Sequence, residues 1–183
     1  MVVLMRRLLT ATLLTVALAG CGQSAGSDDH NDADVTFAQG MVPHHEQAVE
    51  MADMVDGAEA SPEVVALAGK IEKAQQPEID QMNGWLEEWG ADDSGHAHGS
   101  DDEDHEQGHD GMMSEADMTA LGTLSGAEFD EAWLTMMIEH HEGAVRSAQT
   151  EVADGKHPDA IALAKNIITS QQGEIDQMKG LLP

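Results

Sequence analysis

The 183-residue chain carries 35 acidic against 8 basic side chains, and its formal net charge of −27 excludes nucleic acid and anionic lipid headgroups as partners. Cys21 is its only cysteine, which excludes an internal disulfide and any metal site built from cysteines alone. Metal chemistry would therefore have to use His, Met, Asp, Glu or Gln. With 3% aromatic residues and 12 methionines, the core is expected to consist of aliphatic side chains and methionine, which is typical of helices.

The N-terminus has the pattern of an exported lipoprotein. A basic start precedes an apolar run over residues 8–19, which is short for a membrane span, and small residues come directly before Cys21. This pattern resembles the bacterial lipobox, in which the cysteine is acylated; the alternative is an ordinary cleaved signal peptide with an incidental thiol. We predict a signal peptide over 1–21, lipidation at Cys21 and a flexible tether over 22–33. The mature protein would then stand at the outer face of the cell membrane or in the periplasm, and would touch the membrane only through its lipid.

An internal repeat organises the rest of the chain. The sequence His-His-Glu at His44 recurs at His140. The same offset aligns the segment Gln-Gln-x-Glu-Ile-Asp-Gln-Met that starts at Gln75 with the one that starts at Gln171. The agreement over 41–86 is far above chance for unrelated helices, so the chain contains a duplication.

The first copy, residues 34–90, is predicted to form a helical hairpin. Apolar residues at intervals of three and four form a stripe along its first helix, which we expect to end near Gly57. Ser61 then offers an N-cap, directly before a proline that suits the first position of the second helix. Gly90 is a residue of the kind that ends a helix.

The second copy and the connection to it complete the predicted fold. The linker over 91–124 begins with a polar stretch without apolar periodicity and contains a cap for a short helix at Ser114. The second hairpin over 125–183 opens with a capping-box pattern, Ser125-x-x-Glu128. Two hairpins with a long crossover linker predict an all-α, ferritin-like four-helix bundle.

The paired histidines are the first candidates for metal ligands. Neighbouring helical residues point about 100° apart, so His44 and His45 can flank one interface, and Met41 lies one turn before them. Imidazole suits copper, zinc and nickel, whereas a thioether selects copper(I) or a similarly soft ion. The alternative is that the histidines form a buried polar network. The second copy offers the equivalent set, Met137, His140 and His141.

Two further groups are secondary candidates. Short His-rich tracts bind metals loosely, although an acidic linker is more often a solvated spacer. The candidates in the linker are His96, His98, His105, His109, Met112 and Met113. The candidates on the helices are Asp34, Met51, Glu78, Met82, Asp130, Glu174 and Met178.

The sequence contains no recognisable catalytic constellation. Di-iron bundles carry Glu-x-x-His on their helices, and the only such match, from Glu106 to His109, lies in the linker. Neither His-His-Glu motif has the second histidine that a zinc protease helix requires. A Gly-rich phosphate loop and a serine elbow are also missing. We therefore expect binding without turnover.

Four stretches resemble one protein family. The segments 37–52 and 136–145, together with Gln-x-x-Glu-Ile-x-x-Met at Gln75 and at Gln171, are similar to the DUF305 family. The resemblance covers about residues 34–182. It implies a ferritin-like four-helix bundle and, by extension from a few members, copper or silver binding outside the cytoplasm.

The resemblance also implies a ligand set. By position, the implied ligands are Met41, His44, His45, Met137, His140 and His141. Ser147 stands where the first copy has Met51, so a methionine ligand at that position would be absent from the second copy.

These observations together predict a lipid-anchored protein outside the cytoplasm that binds copper(I) or copper(II), with silver and zinc as alternatives. It would sequester the metal or deliver it to a copper-handling protein partner. One competing hypothesis is a protein-interaction module in which the histidine pairs are structural. The other is a redox enzyme that uses a metal bound in the bundle. Stoichiometric metal binding without turnover distinguishes the first prediction from both.

Overall fold

A computed structural model describes residues 29–91 and 111–183, and all regular structure within these ranges is helical. None of the described helices is long and apolar enough to cross a membrane. The predicted features at Cys21, His96, His98, His105 and His109 lie outside the described residues. The helices are α1 (Asp32–Asp53), α2 (Pro62–Trp89), α3 (Glu115–Leu121), α4 (Gly126–Asp154) and α5 (Pro158–Leu181).

The protein is an all-α, ferritin-like four-helix bundle. Helix α1 packs along α2, and α4 packs along α5, so each copy of the repeat forms a hairpin. The two first helices, α1 and α4, also pack against each other and join the hairpins at the centre. Helix α3 belongs to the crossover between the hairpins and lies against α4.

Local signals in the sequence set most helix ends. Helix α1 begins at Asp32, inside the predicted tether, because the Asn31 side chain accepts hydrogen bonds from the backbone N–H groups of the first turn. It ends at Asp53, before the predicted position, and Gly57 lies in the following turn with a φ of 90°. Ser61 caps α2, and Gly90 ends it with a φ of 65°, as expected.

The capping box predicted at Ser125 is wrong. Ser125 makes no side-chain hydrogen bond to the first turn of α4. Gly126, which has a φ of 58°, instead donates its N–H to the carbonyl of Ala58 at 2.7 Å. The start of α4 is therefore attached to the loop of the first hairpin, a tertiary contact that a local sequence pattern does not reveal.

Candidate metal centre

The first histidines of the two pairs meet where α1 crosses α4. The ring centroids of His44 and His140 lie 3.8 Å apart with an angle of 41° between the planes. Both side chains are buried, as are Met41 and Met137, which precede them by one helical turn. The duplication therefore brings imidazoles from both copies together, with a buried thioether on each helix.

The second histidines of the pairs point to the outer helices of their own hairpins. His45 Nε2 lies 2.8 Å from Glu78 Oε2 on α2, and His141 Nε2 lies 2.9 Å from Glu174 Oε2 on α5. Both rings are fully buried, whereas the carboxylates are partly exposed. A carboxylate at this distance holds the ring proton on Nε2 and leaves the lone pair on Nδ1.

Burial keeps two of these imidazoles in the neutral form that binds metals. Burial, reinforced by the neighbouring His44, His141 and His45, holds the pKa of His140 well below its usual value of 6.5. Burial also lowers the pKa of His141, although the hydrogen bond and the charge of Glu174 oppose this shift. These two rings therefore offer lone pairs to a ligand at neutral pH.

Several buried polar atoms around these rings have no well-formed hydrogen bond to any other described residue. They include both ring nitrogens of His140, Nδ1 of His45 and Nδ1 of His141. The side-chain amides of Gln75 and Gln171, on the outer helices, are equally buried and unsatisfied. Each such atom costs about 1–3 kcal/mol when it is left without a partner, so this cluster is expensive unless something binds to it.

The donor set of this region is suited to a soft metal ion. Within residues 29–91 and 111–183, no three side chains of His, Cys, Asp or Glu are grouped closely enough to hold a metal. A site between α1 and α4 would therefore have to use methionine sulfur beside the imidazoles, and thioethers select copper(I) and similarly soft ions. We call His44, His45, His140, His141, Met41 and Met137 the histidine centre.

Three secondary candidates on the helices lie in the core that surrounds this centre. Met82 is buried in the same apolar cluster as Met41. Met51 and Met178 are buried in the cluster that contains Met137. Ser147, at the position equivalent to Met51, is half-buried. The surroundings of Met41 and Met137 are therefore not identical.

Asp34 and Asp130 have a different role in the structure. Asp34 accepts hydrogen bonds from the backbone N–H groups of Lys156 and His157 at 3.0 and 2.8 Å. Asp130 accepts from the N–H of Ser61 at 3.1 Å. Each carboxylate thus binds the N-terminus of the other hairpin's second helix. Asp34 also lies about 15 Å from His44 along α1, at 1.5 Å per residue.

The two linker methionines that are described lie where the crossover meets the bundle. A side chain at Gly111 would come within 2.7 Å of the Glu139 carbonyl and 2.9 Å of Gly143 Cα, so the backbone of Gly111 lies directly on α4. Met113 exchanges two hydrogen bonds with the Gln47 side chain, at 2.7 and 2.9 Å. We call residues 111–113, which include Met112, the crossover strap.

Sequence reasoning missed one buried acid. Glu151 on α4 is 1% exposed, and burial together with the adjacent Asp34 carboxylate raises its pKa to about 8. The available signal was its spacing, because Glu151 follows Ala144 and Ala148 on the apolar stripe of α4. An acidic residue on such a stripe predicts either an ion pair or a proton that is retained at neutral pH.

Comparisons with known proteins agree with this architecture. The family model "Domain of unknown function (DUF305)" matches residues 34–182. A DUF305 protein from Streptomyces coelicolor, provisionally described as secreted, is 34% identical, with a TM-score of 0.71 over 81% of this chain and 91% of that chain. A DUF305 fragment from Deinococcus radiodurans is 30% identical, with a TM-score of 0.70 over 82% of this chain and 95% of that chain.

A further similar structure contains metal. CopM in its Cu(I)-bound form is 30% identical, with a TM-score of 0.64 over 81% of this chain and 94% of that chain. CopM has also been solved in Cu(II)-bound and Ag-bound forms. No curated protein sequence matches the chain. The family match, which extends over both hairpins, shows that the chain belongs to the DUF305 family.

Proposed function

We propose that this protein binds copper, or silver, at the histidine centre outside the cytoplasm, and sequesters or delivers the ion without catalytic turnover. The observation that carries the proposal is the position of His140. Its ring is fully buried against His44 at the α1–α4 crossing, and neither of its nitrogens makes a well-formed hydrogen bond within residues 29–91 and 111–183. A metal ion bound there would satisfy a nitrogen that is otherwise costly to bury.

The chemistry of the donors supports copper in particular. The centre combines buried imidazoles with the buried thioethers of Met41 and Met137, a set that suits copper in either oxidation state and favours copper(I). Glu78 and Glu174 orient the outer rings, as carboxylates commonly do for metal-bound histidines. A net charge of −27 raises the local concentration of cations around the protein. The copper-bound and silver-bound forms of CopM support the same choice of metals.

The proposed location rests on the N-terminal sequence. The basic start, the apolar run and the small residues before Cys21 support export followed by lipid anchoring. The similar protein from Streptomyces coelicolor, provisionally described as secreted, agrees with a place outside the cytoplasm. Anchoring a copper-binding protein at the membrane would lower free copper where that metal does damage.

Absence of turnover is proposed because the imidazoles lie in the core. The rings of His45, His140 and His141 are fully buried. An ion held among these three rings would be out of contact with a bulky substrate, which suits storage and transfer better than redox chemistry on a substrate. Copper-dependent oxidation of an added reductant at many turnovers per protein would contradict this part of the proposal.

Titration with copper(I) and copper(II) tests the proposal. The soluble protein from Gly22 onward would be compared with a variant in which His44, His45, His140 and His141 are Ala, and with a variant that lacks residues 92–110. We expect tight binding that only the histidine variant loses. A double variant, His30→Ala with His157→Ala, controls for loss of imidazoles elsewhere, because these rings contact Trp89 and not the centre.

Thermal unfolding with and without copper(I) addresses the competing hypothesis that the histidine pairs are structural. A ligand that binds the folded state raises the midpoint of thermal unfolding by mass action, so copper(I) should stabilise the wild-type protein and not the histidine variant. Binding that disappears only with residues 92–110, or that never exceeds weak surface association, would show that the histidine pairs are structural.

A further inference from the structure

One half of the seam where α1 packs against α4 is left uncovered by residues 29–91 and 111–183. A groove of about 320 Å³ runs along it and reaches the histidine centre at Met41 and His44. The residues of its walls that matter here are Gly40, Arg146, Ser147 and Thr150. We call it the seam groove.

The repeat shows that the other half of the seam is built differently. Gly40, Ser147 and Thr150 correspond by position to Met136, Met51 and Met54. Small residues therefore line the open half of the seam, whereas methionines occupy the corresponding positions of the other half. Burial follows this difference, because Thr150 is exposed whereas Met54 is half-buried, and Ser147 is half-buried whereas Met51 is fully buried.

The crossover covers the methionine half. Gly111 lies on the backbone of α4 at Gly143, and Met113 is held by both ends of the Gln47 amide. Gln47 and Gly143 are equivalent positions of the two copies, so the strap bridges α1 and α4. Helix α3 continues the cover, since a side chain at Gly122 would come within 3.4 Å of Met54 Cε.

We propose that copper(I) enters and leaves the histidine centre through the seam groove, while the crossover strap and the segment around α3 keep the equivalent half of the seam closed. This inference rests on the proposed function and adds a single route of exchange to it. Met41 and His44, which line the groove, are then the first donors that an entering ion meets.

Filling the seam groove tests this route. Ser147→Leu and Thr150→Leu add apolar bulk without adding a thioether. Association of copper(I) and its release to the chromogenic chelator bicinchoninate would be followed by stopped flow in the full mature chain. A blocked route slows both steps by a common factor, about tenfold or more, and leaves the dissociation constant unchanged. A change in ligation would instead alter the dissociation constant.

Loosening the crossover tests the closed half. Gln47→Leu removes both hydrogen bonds to Met113 and should accelerate association and release together by opening a second route. Gln76→Leu is the matched control. The exposed Gln76 side chain donates to Asp80 on the same helix, α2, at 3.4 Å, so its loss leaves the crossover contacts intact. We expect the control to exchange copper(I) at the wild-type rate.

The outcomes distinguish failure of the proposed function from failure of the proposed exchange route alone. Failure of the wild-type protein to bind copper(I) removes the proposed function and this inference with it. Normal binding with wild-type exchange rates in both groove variants overturns the inference alone. Acceleration in Gln47→Leu without slowing in the groove variants also overturns it, because exchange would then occur on the side of the crossover. If Ser147→Leu does not fold, as judged by circular dichroism, the exposed position of Thr150 still provides the decisive variant.

Discussion

His44 and His140 occupy equivalent positions of the two copies, and their rings lie in contact with centroids 3.8 Å apart. A duplicated helix that packs on its own copy brings equivalent residues together at the crossing. Here that crossing contains the buried imidazoles of two different hairpins. Protonation of both rings would place two positive charges side by side in the core, so the arrangement favours neutral imidazole or a bound cation that both rings share.

The carboxylates that contact the outer histidines should control metal affinity. Glu78→Gln and Glu174→Gln keep the size of the side chain but remove the charge that holds the ring proton on Nε2. We expect copper(I) affinity to fall by about tenfold for each variant and by more for the double variant. Competition with a chelator of known affinity measures this.

A general effect of charge must be separated from this specific one. Asp80→Asn and Asp176→Asn remove one negative charge from exposed positions of α2 and α5, close in sequence to Glu78 and Glu174. These controls should retain affinity to within about threefold, because exposed charges are screened. Equal losses in the Glu and Asp variants would mean that the carboxylates act through overall charge alone.

Much of the fold could be predicted from the sequence because its signals are local or periodic. The duplication repeats one pattern at a constant offset, and the bundle contains a hairpin from each copy. The cap at Ser61, the stop at Gly90 and the cap at Ser114 depend on residues a few positions apart, and the structure confirms them. The box predicted at Ser125 is absent, and the start of α4 is held by a hydrogen bond from Gly126 to the distant Ala58 carbonyl. Local sequence patterns do not predict contacts between distant parts of the chain.

Which histidine of each pair faces the opposite hairpin could not be predicted. Adjacent helical residues differ by about 100°, so the sequence shows that His44 and His45 point apart, but not which one faces α4. That choice depends on how the two hairpins pack. The packing of the hairpins also decides the role of Asp34 and Asp130. They lie on the same helix faces as Met41 and Met137, yet they contact the backbone of the opposite hairpin.

Asp34 should contribute to stability rather than to metal binding. Burial alone would raise its pKa, but hydrogen bonds from the backbone N–H groups of His157, Asn31 and Lys156, together with the neighbouring protonated Glu151 side chain, outweigh burial and lower it. Asp34→Ala removes the acceptor from partly buried N–H groups at the start of two helices and should lower the free energy of unfolding by roughly 2–4 kcal/mol. Urea denaturation measures the loss.

Variants at two other aspartates test whether this loss of stability is specific to Asp34. Asp130→Ala, which removes hydrogen bonds to a single N–H, should cost about 1 kcal/mol. Asp32→Ala, at an exposed position of the first turn of α1, should cost less than about 1 kcal/mol. Copper affinity should be unchanged in all three variants that still fold. Loss of copper binding in folded Asp34→Ala would restore this residue as a ligand.

The methionines of the centre should discriminate between oxidation states of copper. Met41→Leu and Met137→Leu preserve buried volume, so the fold should tolerate them, but they remove a soft donor. We expect copper(I) affinity to fall by about tenfold or more in each variant, whereas copper(II) affinity, which depends on imidazole, changes little. Met118→Leu, at a half-buried position of α3, is the control. Unchanged copper(I) binding in the double variant would leave both methionines as core residues.

Glu151 should make the stability of the metal-free protein fall as the pH rises. Its pKa is about 8 in the folded protein against an ordinary 4.5, because burial and the Asp34 carboxylate disfavour the charged form. Between these values the folded state retains a proton that the unfolded chain releases. The contribution of Glu151 therefore becomes less favourable from about pH 4.5 to about pH 8, by a few kcal/mol at most, and then levels off.

Glu151→Gln tests this, because the amide keeps the shape and a donor N–H but does not titrate. The free energy of unfolding from urea denaturation would be measured from pH 5 to pH 8.5 for the variant and the wild-type protein. The lowered pKa values of His140 and His141 act in the opposite direction, since they reduce stability as the pH falls below 6.5, but they are common to both proteins. The difference between the two curves thus isolates Glu151.

We expect the Glu151→Gln variant to gain stability relative to the wild-type protein as the pH rises toward 8. Glu131→Gln, an exposed change on the same helix, is the control, and its stability should follow the same pH dependence as the wild type. A constant difference across the range would mean that Glu151 is already ionised in the fold.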